Sequence, residues 1–251
     1  NSHPLKDYYF AYDDNRSLRT SYLFANSGKL TYEDFKKIKY DQSFMNPAFN
    51  YAMINIEDVL HLDTKKYPQI KESIDMLNRW NRSADVNNKQ AAMVALITRS
   101  VIDRLVKEGH FPAVRTKIKE WLLVQCVEDA QAHLKEHFGT IEVPLGDLQK
   151  LVRGKKELPI GGIPDVIATM WISKHKNGTF KAEVGETYIE LVQFTPNCPV
   201  IESISPYGTS HVEGNKHYDD QMDLFVQQKC KKMSMNYDEI IRDKESEYSP
   251  K

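Results

Sequence analysis

The sequence carries almost no excess of charge: 34 Lys and Arg stand against 35 Asp and Glu over 251 residues, a formal net charge of -1. Proteins that hold nucleic acid or anionic membranes usually show a basic stripe, so neither partner is expected. No run approaches the roughly 18 consecutive apolar residues that cross a bilayer, and mean hydropathy is -0.56. Cysteine is scarce. Cys126, Cys198 and Cys230 lie far apart without CxxC or CxxH spacing, which leaves no legible disulfide framework or zinc site and points to small buried hydrophobes. Phosphate-cradling glycine loops are missing too, since Leu158-Pro159-Ile160-Gly161-Gly162 has neither GxGxxG nor a following Lys-Ser or Lys-Thr. The start, Asn1-Ser2-His3-Pro4, lacks both Met and the regions of a signal peptide. The chain is therefore expected to be a processed or trimmed piece. What is present, 41% hydrophobic and 27% charged residues, is the composition of a globular protein able to bury a core in one or two domains.

The first half reads helical. Thr31 can cap a helix with Asp34 at its third position, Leu30 and Phe35 can staple it, and Pro47 should stop it. A second helix is predicted over Ala48–Leu60. A third follows Pro68, with Ile70, Ile74, Leu77 and Trp80 on one apolar face. Two longer ones run from about Asn88 to Glu108, with Gly109 as cap, and from Thr116 to about His137, closed by Gly139. Glycine and proline then punctuate residues 144–164, which reads as loop. Strands are expected at 166–173, 180–184, 188–194 and 200–204, with a hairpin turn over Lys174–Gly178, and a helix from about Asp219 to Lys231. Helices followed by strands indicate an α+β fold and argue against a doubly wound parallel sheet.

Two constellations invite a chemical reading. His133 and His137 stand at i and i+4, the spacing of a zinc helix, but the order is not HExxH and no third ligand is evident, so a solvated helix face is expected. Gly208-Thr209-Ser210-His211-Val212 is near a nucleophile elbow but ends in Val, and a Ser210, His217, Asp219 triad has no support from spacing. The residues alone show no complete active site.

Gly208-Thr209-Ser210-His211-Val212-Glu213-Gly214-Asn215-Lys216 followed by His217-Tyr218-Asp219-Asp220-Gln221 resembles the C-terminal signature of the penicillin acylase family. Other segments fall in that family's order. Leu30-Thr31 with Asp34 and Asp41 is similar to its helix, with Tyr40 for the usual Gln. Trp80-Asn81-Arg82-Ser83-Ala84-Asp85 resembles its Trp-Asp-Arg-Arg-x-Asp turn, with Asn81 for Asp. Val143-Pro144-Leu145-Gly146-Asp147 and Leu158–Gly162 resemble paired segments of the branch with acyl-homoserine-lactone and aculeacin acylases. Gly185-Glu186-Thr187-Tyr188 is similar to a Gly-x-Ser-Tyr strand.

The resemblance implies the C-terminal portion of an αββα N-terminal nucleophile hydrolase, periplasmic or extracellular, whose segments are a helical 1–140, a loop and strand region 141–205 and a signature loop and helix 206–251. It implies hydrolysis of an N-acylated substrate, such as a β-lactam antibiotic, an N-acyl-homoserine lactone or an acylated peptide. The nucleophilic Ser lies outside this sequence, as do the α chain and the first part of the β chain, its implied partners, so the segment alone should be inactive. By the same resemblance Asn1 is the oxyanion donor and Arg16, with Arg19 as the alternative, orients it or the Ser amine. No cofactor is required. Some members bind calcium near this segment, which makes Asp13 a candidate ligand. The rival expectation is a noncatalytic helical scaffold that keeps the fold.

Overall fold

In the computed structural model, which describes residues 13–48, 55–107, 118–247 and 249, the caps read from the sequence at Thr31 and Gly139 both act. Helix α1 (Asn15–Asn26) is capped by Asp14, and α2 (Tyr32–Lys39) by Thr31 in a reciprocal box with Asp34. The latter helix ends at Lys39, well short of Pro47, and Phe35 packs against Phe24 with ring centroids 6.5 Å apart. The helix predicted over 48–60 starts later than expected: Ala48 is not helical, and extended Asn55 caps α3 (Ile56–Leu60) by accepting from Glu57 N. A 3₁₀ turn opened by Pro68 leads into α4 (Lys71–Leu77), and Ile70, Ile74, Leu77 and Trp80 are all buried as their spacing requires. The two long helices are α5 (Lys89–Lys107) and α6 (Glu120–Phe138), the second closed by Gly139. The cap predicted at Gly109 lies outside the described residues.

The glycine- and proline-rich stretch is more regular than its composition suggests. It holds α7 (Leu145–Leu148), β1 (Gln149–Arg153) and β2 (Lys156–Pro159). Gly154, at φ 58°, takes the left-handed turn between the two strands, so the residue that reads as a loop signal is the hairpin corner itself. Next come β3 (Met170–Lys174) and β4 (Phe180–Gly185), which complete a mixed sheet of order β2-β1-β4-β3. β3 and β4 are antiparallel, while β1 runs parallel to β4 with Gln149 opposite Phe180. A second, antiparallel sheet consists of β5 (Ile189–Gln193), β6 (Val200–Ile204) and β7 (Lys231–Met233). The helix predicted over 219–231 is only α8 (Met222–Val226), and α9 (Tyr237–Asp243) follows β7. The class is α+β.

By contact the chain divides into two units. One comprises Asn1–Val152 with Glu157–Gly185, and the other Arg153–Lys156 with Glu186–Lys251. In the first, α5 and α6 pack against each other, and Ala91, Ala92, Met93, Cys126, Val127 and Leu134 are buried in one continuous core. The small side chains of α5 let the backbones approach closely, which interior packing density demands. In the second, Ile189, Leu191 and Ile204 on the sheet and Met222 and Phe225 on α8 are buried. No helix among the described residues is long and apolar enough to cross a membrane.

Candidate functional site

The first turn of α1 is fixed by its cap: Ser17 N donates to Asp14 Oδ1 at 2.7 Å, and Asp14 N donates to Ser17 Oγ at 3.0 Å. Asn15 is wholly buried. Its Nδ2 donates to Asp165 O at 3.0 Å and Ser43 O at 3.2 Å, its N–H donates to Asp165 Oδ2 at 3.2 Å, and its Oδ1 accepts from Met45 N at 2.8 Å. Burying an amide costs little only when its bonds are made, and here making them pins three chain segments at one point. About one turn further on, Arg19 meets Asp41 in a two-pronged pair, Nε to Oδ1 at 3.0 Å and Nη2 to Oδ2 at 2.8 Å. The charge-assisted bond to Asp41 holds the Arg19 pKa above the ordinary guanidinium value.

Beside this pair lies a cleft of about 410 Å³ lined by Tyr22, Phe44, Met45, Asn46 and the run Trp80-Asn81-Arg82 in addition to Arg19. Trp80 is held by its indole N–H on Ser83 O at 2.7 Å and packs on Phe44 with centroids 5.6 Å apart. Arg82 adopts φ 65°, a region side-chain-bearing residues rarely enter. Its guanidinium lies 5.4 Å from the Trp80 ring centroid and 2.9 Å from Glu57 Oε1. Asn81 takes an aspartate-like part without the charge: its Oδ1 accepts from Ser83 N at 3.0 Å and Asn88 Nδ2 at 2.8 Å. With both guanidinia matched by carboxylates, the cleft suits a flat apolar group with polar edges. Its lining holds no Ser, Thr, Cys or Lys. It can bind and orient, but apart from the Tyr22 phenol its described lining supplies no hydroxyl, thiol or alkyl amine for attack.

Four of the collinear segments singled out in the sequence, those with Asp41, Trp80, Gly146 and Gly162, are joined through the main chain. Ala84 N donates to Gln42 O, Gly162 N to Ala84 O and Ala168 N to Asp41 O, at 2.8, 2.8 and 3.0 Å. Gly146 N donates to Val86 O at 2.7 Å and Leu145 N to Asn88 O at 3.0 Å. A Cβ on Gly161 would stand 2.7 Å from Gln42 Oε1 and 2.9 Å from Val86 N, so glycine is what permits this approach. Buried Gln149 closes the loop from below, its Nε2 donating to the carbonyls of Ile160, Gly161 and Gly162 at 3.2, 3.3 and 2.9 Å.

Asn1 lies outside the described residues. Arg16 is described: it is exposed and makes no ion pair with Asp13, Asp14 or any other described residue. Arg19, the alternative, lines the cleft together with Arg82. Asp13 is exposed, and no group of three or more His, Cys, Asp or Glu able to hold a metal occurs among the described residues. Asn15, Asp165 and Gln149 were not singled out by sequence, because a buried amide has no periodicity. The turn dipeptide Pro164-Asp165 is the one signal that could have marked the region.

The remaining candidates resolve as structural. In the signature loop of the second unit, His217 Nδ1 bonds Asp220 Oδ2 at 2.7 Å and Nε2 bonds Glu245 Oε1 at 3.2 Å. Those two carboxylates, Asp220 first, raise the His217 pKa. Ser210 Oγ accepts from Val212 N, and Asp219 O accepts from Lys156, so Ser210, His217 and Asp219 form no triad. Gly208 leaves room for the His217 carbonyl, which accepts from Ser210 N at 2.9 Å, and Gln221 Oε1 accepts from Ser205 N at 3.0 Å. The signature is thus a clasp. His133 is not on a freely solvated face: its Nε2 bonds Gly178 O at 2.7 Å and its ring packs on Phe180, centroids 5.5 Å apart. Burial lowers its pKa. Of the cysteines only Cys126 is buried, and burial raises its thiol pKa; Cys198 is exposed and Cys230 partly so.

The family described as penicillin amidase matches residues 1–242. No curated protein matches the chain significantly. Among solved structures, the thermostable penicillin G acylase from Alcaligenes faecalis is 15% identical over 95% of this chain and 47% of that chain, with a TM-score of 0.28. The chain spans about half the length of that acylase, 47% of it. A TM-score of this size carries no argument about the fold, and the weight lies on the family match.

Proposed function

The chain belongs to the penicillin amidase family, and from that premise we propose that it is the C-terminal part of the β chain of an acylase that hydrolyses the amide of an N-acylated substrate. β-Lactams, N-acyl-homoserine lactones and acylated peptides are the substrate classes in view. The observation that carries the reading is the family match over residues 1–242. The main-chain hydrogen bonds that join the Asp41, Trp80–Asp85, Leu145–Gly146 and Gly161–Gly162 segments, the second of which lines the cleft, support it.

In the proposed mechanism a Ser at the new N-terminus of the β chain, upstream of this segment, attacks the carbonyl. Its own α-amine takes the hydroxyl proton and passes it to the departing amine; water then cleaves the acyl-enzyme. An α-amine with a pKa near 8 is suited to this at neutral pH. The Asn1 side-chain amide donates to the oxyanion, and exposed Arg16 reaches toward the amine or Asn1. Upstream chain covers the apolar side chains of α1 that are exposed here, Leu18, Tyr22 and Phe24. The compartment is the periplasm or exterior. The testing variant is Asn1→Ala in the full-length processed enzyme, assayed on a chromogenic anilide. A fall in kcat of about 10²- to 10³-fold with little change in KM is expected for a lost oxyanion donor. An unchanged kcat would remove Asn1 from the mechanism.

A further inference from the structure

A larger cavity, about 570 Å³, opens between α5, α6, β3 and β4, and it shares no lining residue with the Trp80 cleft. Its volume falls in the range of small-molecule sites. Leu96, Ala130 and Phe180 give it an apolar floor. The charged groups lining it are Arg99, Arg104, Lys107 and Lys174 against Asp103 and Asp129, a net charge of +2. His133, the other titratable group in the lining, is held on Gly178 O with its pKa lowered by burial, so it adds no charge at neutral pH.

The cations differ in how they are held. Arg99 bonds Asp103 through Nε at 3.0 Å and Nη2 at 2.9 Å, and its Nη1 donates to Ile172 O at 2.8 Å. Arg104 bonds Asp129 and Gln125. Both guanidinia are therefore oriented before any ligand arrives, and their charges are matched. The ammonium groups of Lys107 and Lys174 have no ion pair or hydrogen bond among the described residues, and the excess charge belongs to them. Both ammonium groups line one apolar-floored cavity, so an anion held there faces two cations that no described carboxylate matches.

From this geometry we propose that the cavity binds a small organic dianion, a dicarboxylate or phosphate monoester with an apolar body. Lys107 and Lys174 meet its two charges, and its body rests on Phe180 and Leu96. The test is calorimetric titration of the full-length protein at low ionic strength with phthalate, with benzoate and inorganic phosphate for comparison. Phthalate should bind saturably, with benzoate and phosphate each about tenfold weaker, since each lacks one half of the recognition. The exposed double variant Lys107→Ala, Lys174→Ala should lose about tenfold in phthalate affinity, and Lys107→Arg, Lys174→Arg should retain it. Phthalate affinity unchanged in the alanine variant, benzoate or phosphate binding as tightly as phthalate, or no saturable binding at millimolar phthalate would each overturn the proposal.

Discussion

The junction around Asn15 in the first unit and the signature clasp in the second both hold segments far apart in sequence, but by different means. The junction uses buried amides and close backbone approaches: Asn15 and Gln149 reach carbonyls in other segments, and Gly161 and Gly162 let main chain touch main chain. The clasp uses exposed ionisable groups, with His217 between Asp220 and Glu245 and Lys216 also on Glu245. Buried amide bonds are costly to break and indifferent to pH. Exposed ion pairs contribute little and respond to pH and salt. One region is built to be fixed and the other to be adjustable.

The sharpest attempt to break that contrast is Gly162→Ala. Gly162 has φ 88°, and a Cβ there would overlap the Ala168 carbonyl, so a loss of about 3 kcal/mol is expected from strain and overpacking together. All three tryptophans, Trp80, Trp121 and Trp171, belong to the first unit, so urea unfolding followed by their fluorescence reads this cost. A loss below about 1 kcal/mol would mean that the junction yields. Next in size is Asn15→Ala, which strips the partners from Met45 N–H and the Ser43 and Asp165 carbonyls. About 2 kcal/mol is expected in the same measurement, and it should stay constant between pH 6 and pH 9, since no titrating group is removed.

The smallest effect belongs to the clasp. Its carboxylates raise the His217 pKa, so its contribution is complete below the ordinary value of about 6.5 and fades as pH rises through the raised one. Hydrogen exchange at residues 244–247, corrected for intrinsic rates, should therefore quicken by about threefold on the alkaline side. His217→Ala should be uniformly fast and flat with pH. Equal pH sensitivity in that variant would assign the effect to another group.

Much of the fold was legible where one local rule decides it. The Thr31 cap, the buried face of α4 and the strands Phe180–Gly185, Ile189–Gln193 and Val200–Ile204 follow from capping chemistry and apolar spacing. Legibility failed where rules compete. β1 and β2 were hidden because Gly154 and Pro159 read as loop. β7 was hidden because Lys231, Lys232 and Met233 are all exposed and show no alternation, while Gln228 at φ 57° follows α8 where a longer helix had been expected. The candidate site was legible as a set of segments but not as a place. Nothing in the spacing of Asp41, Trp80 and Gly162 says that they adjoin, and Asn15, which secures them, resembles any surface amide in sequence.

The hydrogen bonds of the junction also set an order of events during synthesis. Residues 15, 43–45, 84–86, 146 and 161–168 are joined directly, so the helices between them can form as each leaves the ribosome, but the junction closes only once residue 168 has emerged. Contacts between such distant residues are slow to form, because loop closure precedes any reward. Until then the carbonyls of Ala84 and Val86 are sites where a neighbouring chain can pair; Gly146 N removes the second from reach and Gly162 N, arriving last, the first.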